Sequence, residues 1–266
     1  MISSGKFDGW EIELGDSPVI GTAIHSGSGL RRQCRELMAL ADAERMREED
    51  PFTDRLIEDF PNRVVVHRSR FEVDLNRARA AAVYVRPEQA WGLQVWSQTP
   101  GEDRISASLA FHDEFYARLE DVLAGIEGRF GRFVLVDVHS YNHRRGGPHA
   151  PPTPQAEAPD INIGTASMDR ERWAFVVDPF IDMLRGFEFR GRPIDVRENV
   201  AFYGKGEQTR FVHDRFPRTG CAIAVEFKKI FMDEWTGEAD DDAIGALRAM
   251  LAATVPMLER TLLQDG

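Results

Sequence analysis

Apolar and polar residues follow one another along the chain in blocks whose period shifts between that of a strand and that of a helix. Residues 9–15 (GWEIELG) and 18–24 read as two short strands, the second ending at His25. The small residues of HSGSGL then form a turn that lets backbone approach a neighbour closely. Helical spacing of Leu30, Cys34, Leu37 or Met38, and Met46 predicts a helix across LRRQCRELMALADAERMREED. DPFTDRLIEDF predicts a second, short helix, with Asp50 able to cap it and Pro51 at its first position. Val64 to Val66 form a β-branched run. RSRFEVDLNR follows, alternating polar groups with Phe71, Val73 and Leu75 as an ordered, partly buried segment does.

The stretch ISASLAFHDEFYARLEDVLAGIE predicts a long amphipathic helix. After it, Phe133 to Val136 are apolar in succession, which suits a strand at 133–138 covered on both faces. The prolines of GGPHAPPTPQAEAP mark a loop over 146–159, ahead of DINIGT. A helix near 170–186, a strand near 196–203, a strand in the first half of CAIAVEFKKIFMDE and a C-terminal helix complete the pattern, with Pro256 kinking or splitting that last helix. Strands alternating with long helices predict an α/β fold: a single domain over 1–266, with a mainly parallel or mixed central sheet flanked by helices.

Composition narrows the function classes. The chain has 266 residues, 42% hydrophobic and 29% charged, as ordinary globular proteins do. A formal net charge of −11 argues against nucleic-acid or anionic-membrane partners, which require a basic face. It leaves room for a cationic pocket that binds a small anion. Cys34 and Cys221 are the only cysteines, so neither a disulfide framework nor a cysteine zinc site is expected. No transmembrane run and no secretory signal are evident, which makes the cytoplasm the expected location.

Three strand patterns end in polar residues: GTAIHSG, LVDVHSYNH and AIAVEF. If the strands are parallel neighbours, His25 and His139 converge at their C-terminal ends with Glu226 nearby, where open α/β sheets place their ligands. Two imidazoles and a carboxylate suit a catalytic zinc, which lowers the pKa of a bound water and polarises a carbonyl while a Glu takes the proton. Isolated histidines also serve structural and surface roles. For His67, His112 and His149 the latter is expected, His112 falling beside Asp113 and Glu114 on a solvated helix face. Arg70, Arg77, Arg144 and Arg210 each adjoin a polar cluster. They suit either bidentate recognition of carboxylates or ordinary surface ion pairing. DINIGT fits no phosphate-loop pattern, and no serine or cysteine nucleophile motif is present.

The ordered set HSGSGL, RSRFEVDLNR, LVDVHSYNH, DINIGT, TRFVH and VEFKKIFMDE, from about residue 20 to about residue 235, resembles the N-formylglutamate amidohydrolase family. That family is similar to the zinc carboxypeptidase and aminoacylase hydrolases, with a phosphorylase/hydrolase-like fold. The resemblance implies a metal-dependent hydrolase with one Zn²⁺ per chain, acting on a small anionic N-acyl amino acid, typically N-formyl-L-glutamate. It implies His25 and His139 as metal ligands, Glu226 as general base, and Arg70, Asn76 and Arg77 as substrate-binding residues, with Arg210 a further candidate; Arg144 is a substrate-binding candidate from its place beside a polar cluster alone. The His-x-x-Glu pattern of carboxypeptidases is missing, since Ser28 stands three residues after His25. DPFTDRL resembles the family's Asp-containing segment that follows the first histidine, and this implies Asp54 as the third ligand, with Asp50 the alternative. Asp74 and Asp137 are expected to orient the ligands or arginines. A broader N-acyl-amino-acid or carboxypeptidase-like hydrolase, and a non-catalytic binder of acidic metabolites, are the rival readings.

Overall fold

The apolar runs become central strands because helices cover both faces of one sheet. In the computed structural model, residues 4–264 are described; positions 1–3 and 265–266 of the expected 1–266 domain lie outside the described residues. The chain runs β1 (Gly5–Phe7), β2 (Trp10–Glu13), β3 (Val19–Ala23), α1 (Arg32–Arg35), α2 (Asp42–Glu48), α3 (Thr53–Leu56) and β4 (Asn62–Val66). Then come α4 (Glu102–Phe130), β5 (Phe133–Tyr141), β6 (Ile161–Gly164), α5 (Ala174–Arg185), β7 (Glu188–Phe189), β8 (Arg192–Pro193) and β9 (Val196–Glu198). Helix α6 (Glu207–Arg215), β10 (Gly220–Lys228) and α7 (Asp241–Gln264) end it.

Eight strands form a sheet in the order β1-β2-β4-β3-β5-β10-β6-β9, and β7 and β8 make a separate hairpin. The centre, β4-β3-β5-β10, is parallel. The pairs β1-β2, β2-β4 and β10-β6 are antiparallel. This is the single α/β domain with a mixed sheet that the alternating pattern predicts.

Residue alternation sorts side chains onto two faces. Val134, Val136, Cys221, Ile223 and Val225 pack with Val176, Phe180 and Leu247 of α5 and α7. Ile20, Phe133, Leu135 and Ala222 pack with Phe115, Leu119 and Val212 of α4 and α6. Asp137, His139 and Glu226 continue the second series, so they emerge on the α4/α6 face at the C-terminal ends of parallel strands.

Several expected elements differ. The helix expected after HSGSGL is two short pieces, because residues 37–39 are drawn out to pair with 95–97: Ala39 N–H bonds Val95 carbonyl at 2.9 Å and Ser97 N–H bonds Leu37 carbonyl at 2.8 Å. Its apolar residues Cys34, Leu37 and Leu40 serve a third core with Phe71, Tyr84 and Trp96. The strand expected near 196–203 ends at Glu198, where Asn199 turns the chain with φ 54°. Pro256 lies inside α7 without splitting it. Helix α6 was not foreseen.

Phe180 is fully buried in the α5/α7 layer, away from the strand ends. Phe180→Ala should lower unfolding free energy by about 3–5 kcal/mol in denaturant titration. A loss below about 1 kcal/mol would mean this layer collapses around the cavity rather than supporting the sheet.

Candidate metal centre

The chain leaves β3 toward β4 on one side of the sheet and returns to β5 on the other, so a topological switch point separates β3 from β5. His25 lies two residues past the end of β3 there, and His139 lies near the end of β5. Asp50 joins them because its backbone N–H bonds the His25 carbonyl at 2.9 Å. His25, Asp50 and His139 are all buried, and one ligand atom from each lies within 4.8 Å of the others. Glu226 on β10 is in register with His139 on β5.

Two further carboxylates orient the imidazoles. His25 Nε2 is 2.7 Å from Asp74 Oδ1, and His139 Nε2 is 3.1 Å from Asp137 Oδ1. A carboxylate accepts, so each Nε2 carries the proton and each Nδ1 turns to Asp50. His139 Nδ1 lies 3.0 Å from Asp50 Oδ2, and His25 Nδ1 lies 3.4 Å from it. His25 Nδ1 is buried and has no hydrogen-bond partner. A buried nitrogen lone pair that faces a carboxylate without a proton between them calls for a cation, and the donor set fits a divalent metal.

The titration directions agree. Burial would raise Asp50, yet its hydrogen bond with His139 and the His25 imidazole beside it hold it well below the usual carboxylate range. Burial opposes a charged His139, but Asp137, Glu226 and Asp50 outweigh it and hold the imidazole well above its ordinary value. With no ion, His139 is thus protonated between two carboxylates. Burial pushes Glu226 up to about 7, with His139 opposing and Asp50 and Asp137 adding to the rise.

Asp50, not Asp54, meets the histidines. Phe52 adopts a left-handed φ of 68°, so α3 starts at Thr53. Thr53 N–H and hydroxyl bond the Asp50 backbone carbonyl. The Asp50 carboxylate is therefore not a helix cap and is free to face His25 and His139. Asp54 sits in the first turn of α3, outside this group.

The centre forms the floor of a cleft of about 500 Å³, whose walls include Arg70, Asn76, Arg77, Arg210 and Glu226. Arg70 donates to Asp74 Oδ2 at 2.9 Å, and Asn76 N–H donates to Asp74 Oδ1 at 2.8 Å. Helix α4 clamps this segment: Tyr116 hydroxyl bonds the Leu75 carbonyl at 2.5 Å and His112 Nε2–H the Arg77 carbonyl at 3.0 Å. His112 is therefore buried on the inner face of α4 rather than solvated, and the adjacent acids occupy the outer face. Arg144 is outside the cleft, its backbone N–H held by Glu234 at 2.8 Å beside Trp235 in a neighbouring depression. Arg145 lines the cleft in its place, because the chain turns as it leaves β5. Arg47, Lys205 and Lys229 line it too, with no sequence pattern to mark them. Lys229 donates to the carbonyls of Arg47 and Glu49, and burial lowers its pKa to about 8.

Residues 17–232 match the family described as N-formylglutamate amidohydrolase. No curated protein matches the chain. Among solved structures, N-formylglutamate amidohydrolase from Ralstonia eutropha aligns with TM-score 0.76 at 15% identity, covering 98% of this chain and 100% of that one. A gene product of Agrobacterium tumefaciens aligns with TM-score 0.65 at 18% identity, covering 98% and 96%. At such identities the likeness is one of fold.

Metal analysis after reconstitution separates the two aspartates: Asp50→Asn and His139→Ala should lose the bound ion, and Asp54→Asn should keep it. The reverse pattern would return the third ligand to Asp54. Loading must also expel the proton on His139 Nδ1, so the apparent affinity should weaken as pH falls. Calorimetry in two buffers of different ionisation enthalpy should show proton release, and a buffer-independent heat would contradict it.

Proposed function

The chain belongs to the N-formylglutamate amidohydrolase family, and we propose that it is a zinc-dependent hydrolase of N-acyl acidic amino acids, with N-formyl-L-glutamate, cleaved to formate and L-glutamate, as its leading substrate. The observation that carries this reading is the buried set of His25, Asp50 and His139, with His25 Nδ1 unpartnered and Glu226 alongside. Two imidazoles and a carboxylate match zinc's preference for nitrogen and oxygen donors and leave a coordination position open. One bound Zn²⁺ per chain would supply Lewis-acid polarisation of the amide carbonyl and a more acidic water.

The chain's own residues do the rest. Glu226, near neutrality in its titration, takes a proton from the attacking water and returns it to the departing amine nitrogen. Asp74 and Asp137 keep the imidazoles in the tautomer that presents Nδ1. Arg70, Arg77, Arg210 and Asn76 receive the substrate's carboxylates, and these remote contacts position the scissile amide over the centre. Among the described residues no helix is long and apolar enough to cross a membrane.

Glu226→Gln should lower kcat by about 10²–10⁴-fold with metal content unchanged. Wild-type turnover in that variant would remove Glu226 from proton transfer. Arg77, half-exposed on the wall and only 3.9 Å from Asp74, is free to bind substrate. Arg77→Ala should raise KM for N-formyl-L-glutamate about 10–100-fold, the value of a charge-assisted bond. An unchanged KM would assign the carboxylates to other cations.

A further inference from the structure

The cleft carries apolar surface that an N-formyl amino acid does not use. Trp91 and Phe202 both line it and are 47% and 38% exposed, among the few large apolar side chains left open to solvent. A formyl group has almost no apolar area to bury against them, so in that complex both rings would stay wet.

Each ring is held in place. Trp91 adopts a left-handed φ of 54°, followed by Gly92 at 87°, a conformation uncommon for an aromatic residue. Its ring lies 4.9 Å from the Arg70 guanidinium and edge-on to Tyr84. Phe202 belongs to a loop fixed by the otherwise unexplained DINIGT segment. Asn162 Oδ1 accepts the backbone N–H groups of Val200, Ala201 and Phe202 at 2.9, 2.8 and 3.3 Å. Asn162 Nδ2 donates to the Phe202 carbonyl at 2.8 Å. The loop also touches β6 backbone to backbone: a Cβ on Gly204 would fall 2.4 Å from the Gly164 carbonyl carbon. The Phe202 ring rests on Tyr141 at 5.3 Å.

We propose that Trp91 and Phe202 form an aromatic subsite for the acyl group, so that the cleft takes N-aroyl acidic amino acids as well as N-formyl ones. The inference rests on the hydrolase reading of this cleft. Arg77, Arg210, Arg145 and Lys205 line the same walls and supply more cations than two carboxylates need. With those cations assigned to the amino-acid half, the two rings are left to meet the acyl half. A cleft of about 500 Å³ lies in the range that holds drug-sized ligands, whereas N-formylglutamate has only a dozen non-hydrogen atoms. Hydrolysis of N-benzoyl-L-glutamate consumes one water: its oxygen bonds the acyl carbon, the carbon–nitrogen bond breaks, and benzoate and L-glutamate leave.

The test is calorimetric binding to zinc-loaded Glu226→Gln protein, which holds ligands without turning them over. N-Benzoyl-L-glutamate should bind about tenfold more tightly than N-formyl-L-glutamate, the worth of a good aromatic contact. Adding Phe202→Ala or Trp91→Ala should erase that preference with metal content retained. Equal affinities, tighter binding of the formyl ligand, or a preference that survives both substitutions would each overturn the subsite. Turnover by the wild-type protein is read separately. A benzoyl preference in a protein that hydrolyses neither compound would keep the subsite and overturn the hydrolase reading.

Discussion

The site depends first on one buried carboxylate, Asp74. It accepts hydrogen bonds from His25 Nε2–H, from Arg70, from the backbone N–H of Asn76 and from the hydroxyl of Tyr84. Burial alone would push its pKa up, but Arg70 and His25 hold it well below the usual range. A single charge thus sets the tautomer of His25 and the position of Arg70 in the cleft wall. In a low-dielectric interior such a network is strong when every partner is present, and removing one leaves a buried charge unpaired, at a cost of about 3–5 kcal/mol. Asp137 repeats the device for His139, steadied by Thr22 and Gln208 at 3.1 and 2.6 Å.

Sheet geometry makes the arrangement possible. Asp137 and His139 are two residues apart on β5, so they share a face and the carboxylate lies beneath the imidazole. Parallel register with β10 then sets Glu226 beside His139. Asp50 comes from outside the sheet, which lets the third donor approach the two histidines from a different direction than the strands. Helix α4 packs across the 75–77 segment and holds the arginine-bearing wall against the floor through hydrogen bonds to backbone, a rigid form of support that side-chain contacts alone would not give.

What the sequence disclosed follows from period and strand ends. Continuous apolar runs identify β3, β5 and β10, and the polar residues after them identify His25, His139 and Glu226. Asp50 and Asp54 could not be separated, because the choice turns on the left-handed Phe52, which moves the helix start by a couple of residues. His112 was misplaced because its acidic neighbours describe the outer face of α4, while its own ring follows the helical stripe of Phe115 and Leu119 inward. The interrupted helix at 30–48 satisfies the apolar pattern in two pieces, and only pairing with 95–97 reveals the break. Arg144 and Arg145 point to different surfaces one residue apart, a distinction that depends on how the chain leaves β5 and not on composition.

The charge balance of the cleft links metal and substrate. Overall the protein carries −11, and the floor adds Asp50, Asp74, Asp137 and Glu226 close to the histidines. Without an ion, the proton on His139 is the compensation available between Asp50 and Asp137. A divalent cation in place of that proton brings additional positive charge to the floor, below walls that already hold Arg70, Arg77 and Arg210. A dianionic amino acid is then favoured by floor and walls together, whereas the ion-free floor repels it. Affinity for the ion and affinity for the anion are therefore coupled, and the coupling is reciprocal: each raises the other by the same factor. An acidic protein can in this way bind an acidic substrate, because the attraction is concentrated in one cleft and completed only when the metal is in place.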